Sequence, residues 1–130
     1  MTVDEARAAV VHGEDAAVYA YGVAGARVPA RRRALSGLDF HRAARDAVAA
    51  AMATPPDPAP AYVLPTAPRT PAEARALLAY VDNALVPLYA DLAAASTGDE
   101  RRRAVLNAQA CATRAVGWGA ASQAFPSGGA

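Results

Sequence analysis

Two acid–tyrosine pairs stand out for their spacing. Glu14 and Tyr21 are seven residues apart, as are Asp82 and Tyr89. Seven residues is close to two helical turns, so on a helix each pair shares one face. His41 and Arg45, and Arg114 and Trp118, are spaced by four, again a same-face separation. Carboxylates, an imidazole and phenols turned inward can hold metal or neutralise one another. A dinuclear metal site in a helical bundle takes a glutamate from each of two helices and Glu-x-x-His from each of the other two. The chain has two histidines and no Glu-x-x-His. Asp39 lies two residues before His41, and His12 two before Glu14. On a helix that turns each pair ~200° apart. Asn107 and Gln109 are poor ligands. Glu14, His41 and Asp82 could take one iron or manganese ion if three helices converge at one level.

The spacing suits a buried polar network better. Its expected members are Glu14, Tyr21, His41, Arg45, Asp82, Tyr89 and Arg114, with the arginines neutralising the acids. A buried charge is tolerated when it is paired and hydrogen-bonded. The same set could form a pocket for a small polar ligand, because arginine clamps carboxylate or phosphate with two parallel bonds. No catalytic residue and no cofactor is expected.

The other candidates give way to plainer readings. Arg31–Arg33 and Arg101–Arg103 are basic runs, but net charge is +1, and no aromatic residues are interleaved. They read as solvated helix ends, and nucleic acid is not an expected partner. Every basic residue is arginine, with no lysine. The single cysteine, Cys111, excludes an intrachain disulfide and suits a reducing compartment. Its place among alanines reads as a small buried hydrophobe. There is no glycine-rich phosphate loop, hydrolase elbow, CxxC or HExxH. No apolar stretch reaches the ~20 uncharged residues of a membrane span. The acidic start, Asp4 and Glu5, is unlike a signal peptide. A cytoplasmic location and no membrane partner are expected.

The elements that must position these residues are helices. Thr-x-x-Glu occurs at Thr2–Glu5, Thr70–Glu73 and Thr97–Glu100, each where an alanine-rich run begins. Each reads as a capping box, with threonine and glutamate satisfying each other's backbone N–H. Pro71 adds the favoured first-turn proline. The expected helices cover about 3–27, 30–53, 71–95 and 98–124. Ser36–Asp39 is a possible restart in the second, and Pro87 should kink the third. Gly13, Gly22 and Gly25 suggest tight crossings. Alanine-rich faces bury little area, so the core must lean on Tyr19, Tyr21, Phe40, Leu77, Leu78, Leu85, Leu88, Tyr89, Leu92, Leu106 and Trp118. Residues 54–69 hold six prolines and cannot be helix. Sixteen extended residues reach up to ~50 Å, more than the ~33 Å of a 22-residue helix. So long a connection fits parallel second and third helices, with Tyr62 and Leu64 anchoring it to the bundle. The expected fold is all-α: a ferritin-like four-helix bundle over 1–125, two helical hairpins joined by a long proline-rich crossover, then a flexible tail over 126–130.

Four segments make a resemblance nameable: Glu14-Asp15-Ala16-Ala17-Val18-Tyr19-Ala20-Tyr21-Gly22, His41-Arg42-Ala43-Ala44-Arg45-Asp46, Ala61-Tyr62-Val63-Leu64-Pro65 and Phe125-Pro126. In this order they resemble a family of actinobacterial ferritin-like domains of unknown function, over nearly the whole chain. The resemblance implies the fold and no activity. Two functions are compatible with it. One is a non-catalytic binding or scaffolding module, a homodimer, whose metal site has been replaced by the buried network. The alternative is a degenerate iron- or manganese-binding oxidase using Glu14, His41 and Asp82.

Overall fold

A computed structural model describes residues 1–57, 64 and 67–122, and these form four α-helices with no strand among them. They are α1 (Val3–Ala24), α2 (Arg31–Ala50), α3 (Pro71–Ala95) and α4 (Gly98–Gly117). A short 3-10 turn, Gly25–Arg27, ends the first before Pro29. The second runs unbroken through Ser36–Asp39, and the third continues across Pro87.

The helix starts use the three threonines differently. At Thr2 the full box forms: its Oγ1 accepts from Glu5 N–H, and Glu5 accepts from Thr2 N–H. At Thr70 the hydroxyl accepts from Glu73 N–H, but Glu73 accepts from Arg69 N–H instead of Thr70. At Thr97 no side-chain cap forms. Glu100 is drawn away by Arg7, whose Nε and Nη2 donate to its two oxygens at 2.8 Å each. A two-pronged contact between opposite charges outweighs a single carboxylate bond to a backbone N–H.

The last helix stops short of its expected end near residue 124. Gly119 takes φ +112, where side chains are strained, and Ala120 N–H and Gly119 N–H donate to Ala115 and Val116 carbonyls. Those two bonds are a Schellman stop.

Contacts along the helices fix their directions. Glu14 meets Tyr89 and Tyr21 meets Asp82, so α1 and α3 run antiparallel. His41 reaches Glu14, and Gly37 lies against Tyr21, so α2 opposes α1 and runs parallel to α3. Trp118 meets Tyr21 and Glu100 meets Arg7, so α4 runs alongside α1. The link from α2 to α3 must therefore return the length of the bundle. Leu64 is half-buried against the core and Pro68 is buried. Tyr62 and the tail lie outside the described residues.

The core is small residues filled in by a few large ones: Tyr21, Leu77, Leu78, Leu85, Tyr89, Leu92 and Trp118. Two expected members are outside it. Tyr19 is 42% exposed and Leu106 54% exposed. Tyr19 is two residues from Tyr21, which turns it ~200° from the core face. Helix α3 is apolar and long enough to cross a membrane by length and composition, though charged residues interrupt it and half of its most apolar window is buried by the other helices.

At Gly13 and Gly37 a neighbouring helix's side chain packs directly on the backbone. A Cβ on Gly13 would meet Leu88 at 2.7 Å, and one on Gly37 would fall on the Tyr21 ring. Gly22, by contrast, has open space around it. Gly37→Ala is thus expected to cost about 1–3 kcal/mol by overpacking, while Gly22→Ala should stabilise by up to ~1 kcal/mol through helix propensity. Paired thermal melts of the two variants check this.

Candidate functional site: a buried carboxylate–histidine–tyrosine cluster

Three ionisable side chains, Glu14, His41 and Asp82, sit at the centre of the bundle with no exposed surface. The heptad spacing brings them there. Because α1 and α3 are antiparallel, each tyrosine faces the other helix's acid. Tyr89 OH donates to Glu14 Oε2 at 2.6 Å, and Tyr21 OH donates to Asp82 Oδ2 at 2.6 Å. His41 from α2 lies between the acids. Its Nδ1 is 2.5 Å from Glu14 Oε1, and its Nε2 is 2.8 Å from Asp82 Oδ1. Trp118, just past α4, donates its indole N–H to Tyr21 OH at 2.8 Å. Each carboxylate oxygen thus has one donor.

With both acids as carboxylates, that donor count puts a proton on each imidazole nitrogen. The electrostatics agree. Burial by itself pulls His41 down, but the bonds to Asp82 and then Glu14, with their charges, more than offset it and hold the imidazolium up at about 9. Burial raises both phenols, and the neighbouring acids add to it, so Tyr21 and Tyr89 remain neutral donors. The cluster reads as two carboxylates around one imidazolium, a buried ion triad with a net charge of −1.

The two expected arginines are elsewhere. Arg45 is half-buried and pairs with Asp15 at 3.3 Å and Asp46 at 3.1 Å, outside the cluster. Four residues is ~400° of helix, a further ~40° round from His41, and that is enough to bring Arg45 to the rim. Arg114 lays its guanidinium 4.7 Å over the Phe40 ring. It contributes field, opposing the upward shifts of Tyr21 and Cys111, but no hydrogen bond to the acids.

Two participants are not among the expected members of the network, although the sequence places Trp118 in the core and buries Cys111. Trp118 enters as a donor, and Arg33 covers its ring at 4.6 Å. Cys111 is fully buried, and its sulfur lies within 4.8 Å of ligand atoms of His41 and Asp82. Burial, then the charges of Glu14 and Asp82, push its thiol up, so it is uncharged. Nothing in α4 marked the cysteine's partners, because they come from other helices.

Clefts touch the cluster only at its tyrosines, Tyr21 in the first and Tyr89 in the third. One of about 330 Å³ between α1 and α2 is lined by Gly22, Ala26, Leu35 and Leu38. Another of about 300 Å³ is lined by Asn83, Thr113 and Ser122. A narrow one of about 40 Å³ reaches Tyr89 past Val48 and Asn107. Glu14, His41 and Asp82 line none of these three.

The family model "Domain of unknown function (DUF4439)" matches residues 6–129. The chain belongs to the DUF4439 family. Every member of the cluster falls inside the matched span. Among solved structures, this DUF4439 domain is similar to a conserved hypothetical protein, rv2844, from Mycobacterium tuberculosis. The two are 26% identical, with a TM-score of 0.85 over 89% of this chain and 93% of that one. No curated protein matches the chain.

Proposed function

We propose that this DUF4439 domain is a ferritin-like bundle that works as a non-catalytic binding or scaffolding module and pairs with a second copy of itself. One observation supports it above the rest. The side chains best suited to chemistry are fully buried, and every oxygen of Glu14 and Asp82 already accepts from a protein donor. Acids whose oxygens are each engaged by a protein donor, with no opening to solvent, are out of a substrate's reach. The residues also do not fit the dinuclear iron centre of ferritin-like enzymes, which needs more carboxylates and a second inward histidine. The described cluster offers one histidine and two acids.

Work then falls to the surface. The α1–α2 cleft is mostly apolar, and Leu35 on its rim is 56% exposed. Glycine and alanine at Gly22, Gly25, Ala26 and Ala34 let a partner's backbone approach closely. An apolar, small-residue face of this kind suits a helix pair from a second copy. Light scattering should give a dimer at micromolar concentration, and Leu35→Glu should shift it to monomer with its melting temperature little changed. A monomer for the parent protein at tens of micromolar would remove the self-association.

A further inference from the structure

We infer that the centre of the bundle is a buried site for one zinc-class divalent cation, ligated by His41 Nε2, Asp82 and Cys111 Sγ, with a water in the fourth position. These donors come from α2, α3 and α4, are fully buried, and lie within 4.8 Å of one another. One imidazole nitrogen, one carboxylate oxygen and one sulfur form the donor set of zinc, not of magnesium or calcium, which take oxygen. Zinc bonds of ~2.0–2.3 Å put tetrahedral donors roughly 3.3–3.7 Å apart, so side chains need shift by only about 1 Å.

The remaining members of the cluster already stand where supporting groups belong. A zinc-bound histidine donates its other N–H to a carboxylate, which fixes its tautomer and orientation. His41 does this through Nδ1 to Glu14. Tyr89 in turn fixes the second oxygen of Glu14, and Tyr21 fixes the second oxygen of Asp82. Glu14 is thereby a positioning residue and not a ligand.

Charge bookkeeping favours the exchange. Without metal the cluster holds two carboxylates, one imidazolium and a neutral thiol, a net charge of −1. On binding, the proton on His41 Nε2 and the proton on Cys111 Sγ leave to solvent, and one dication enters. Two positive charges replace two, so the net charge stays at −1. No additional uncompensated charge is buried, which is the term that otherwise opposes ionic groups in a core. An ion held there ties three helices together. It goes beyond the binding-module proposal, and its test is independent of self-association.

The experiment is a cobalt titration, followed by zinc displacement, of tag-free protein stripped with chelator. The expected result is about one equivalent of cobalt, with the intense visible bands of a tetrahedral ion and a near-ultraviolet sulfur-to-cobalt charge-transfer band, all lost on adding zinc. Cys111→Ala should abolish the charge-transfer band and weaken binding at least tenfold while helical circular dichroism persists. Cys111→Ser serves the same purpose if the alanine variant does not fold. Glu14→Gln should weaken binding about 10–100-fold yet keep the sulfur band. His12→Asn, at an exposed position, should change neither. Less than a tenth of an equivalent bound, cobalt bound with no sulfur band, or a cysteine variant with parental affinity would each overturn the site.

Discussion

Replacing His41 with alanine is expected to destabilise the protein by about 3–5 kcal/mol. For a chain of this size that lowers the melting temperature by roughly 10–20 °C. The reason is what stays behind. His41 is the only cationic group hydrogen-bonded to Glu14 and Asp82 among the described residues, and both acids are fully buried. Without it, two carboxylates confront each other and each has an oxygen with no donor. The contrast is Arg45→Ala, expected to cost about 1 kcal/mol because Arg45 is partly exposed and Asp46 is well hydrated, with only Asp15 mostly covered. Melts of both variants with chelator present decide it. Equal melting temperatures would mean that the triad does not carry the charge balance assigned to it.

Removing the whole triad should do far less harm than removing its centre. In a fourfold variant, Glu14→Leu, His41→Leu, Asp82→Leu and Tyr89→Phe, the buried charges go together and apolar volume takes their place. Replacements of this kind are commonly neutral or stabilising by about 1–4 kcal/mol. Tyr21 is kept because it also accepts from Trp118. The expected result is a variant that melts at or above the parent, several kcal/mol better than the His41→Ala single substitution. Its nuclear magnetic resonance spectrum should show poorer dispersion, since uniform leucine packing no longer singles out one register. A fourfold loss equal to the sum of the single losses would show that the cluster supplies net stability, not specificity.

The parts of this arrangement legible in the sequence were those set within one helix. The heptad pairs Glu14–Tyr21 and Asp82–Tyr89 announced shared faces, and the threonines and Pro71 marked three helix starts to the residue. What failed depended on contacts between helices. Glu100 matched a local cap but was claimed by Arg7, 93 residues away. Arg45 shared a broad face with His41, yet the choice between Glu14 and its neighbour Asp15 rested on ~40° of rotation, which spacing alone does not resolve. Cys111 looked inert because α4 has no partner pattern of its own. The end of α4 was missed because two glycines flank Trp118, and only the one after it takes the left-handed turn.

The reciprocal pairing of acids and tyrosines has a further consequence. Thr2, Glu5, Glu14 and Tyr21 recur as Thr70, Glu73, Asp82 and Tyr89, each displaced by the same 68 residues. The second hairpin thus repeats the spacing of the first, and the two acid–tyrosine bonds cross between them. Two copies of one helical hairpin, each carrying an acid and a tyrosine two turns apart, would generate the same crossed bonds. Joining them through residues 51–70 frees the halves to differ. Only the first hairpin supplies an imidazole: 68 residues after His41 stands Gln109, turned out to solvent.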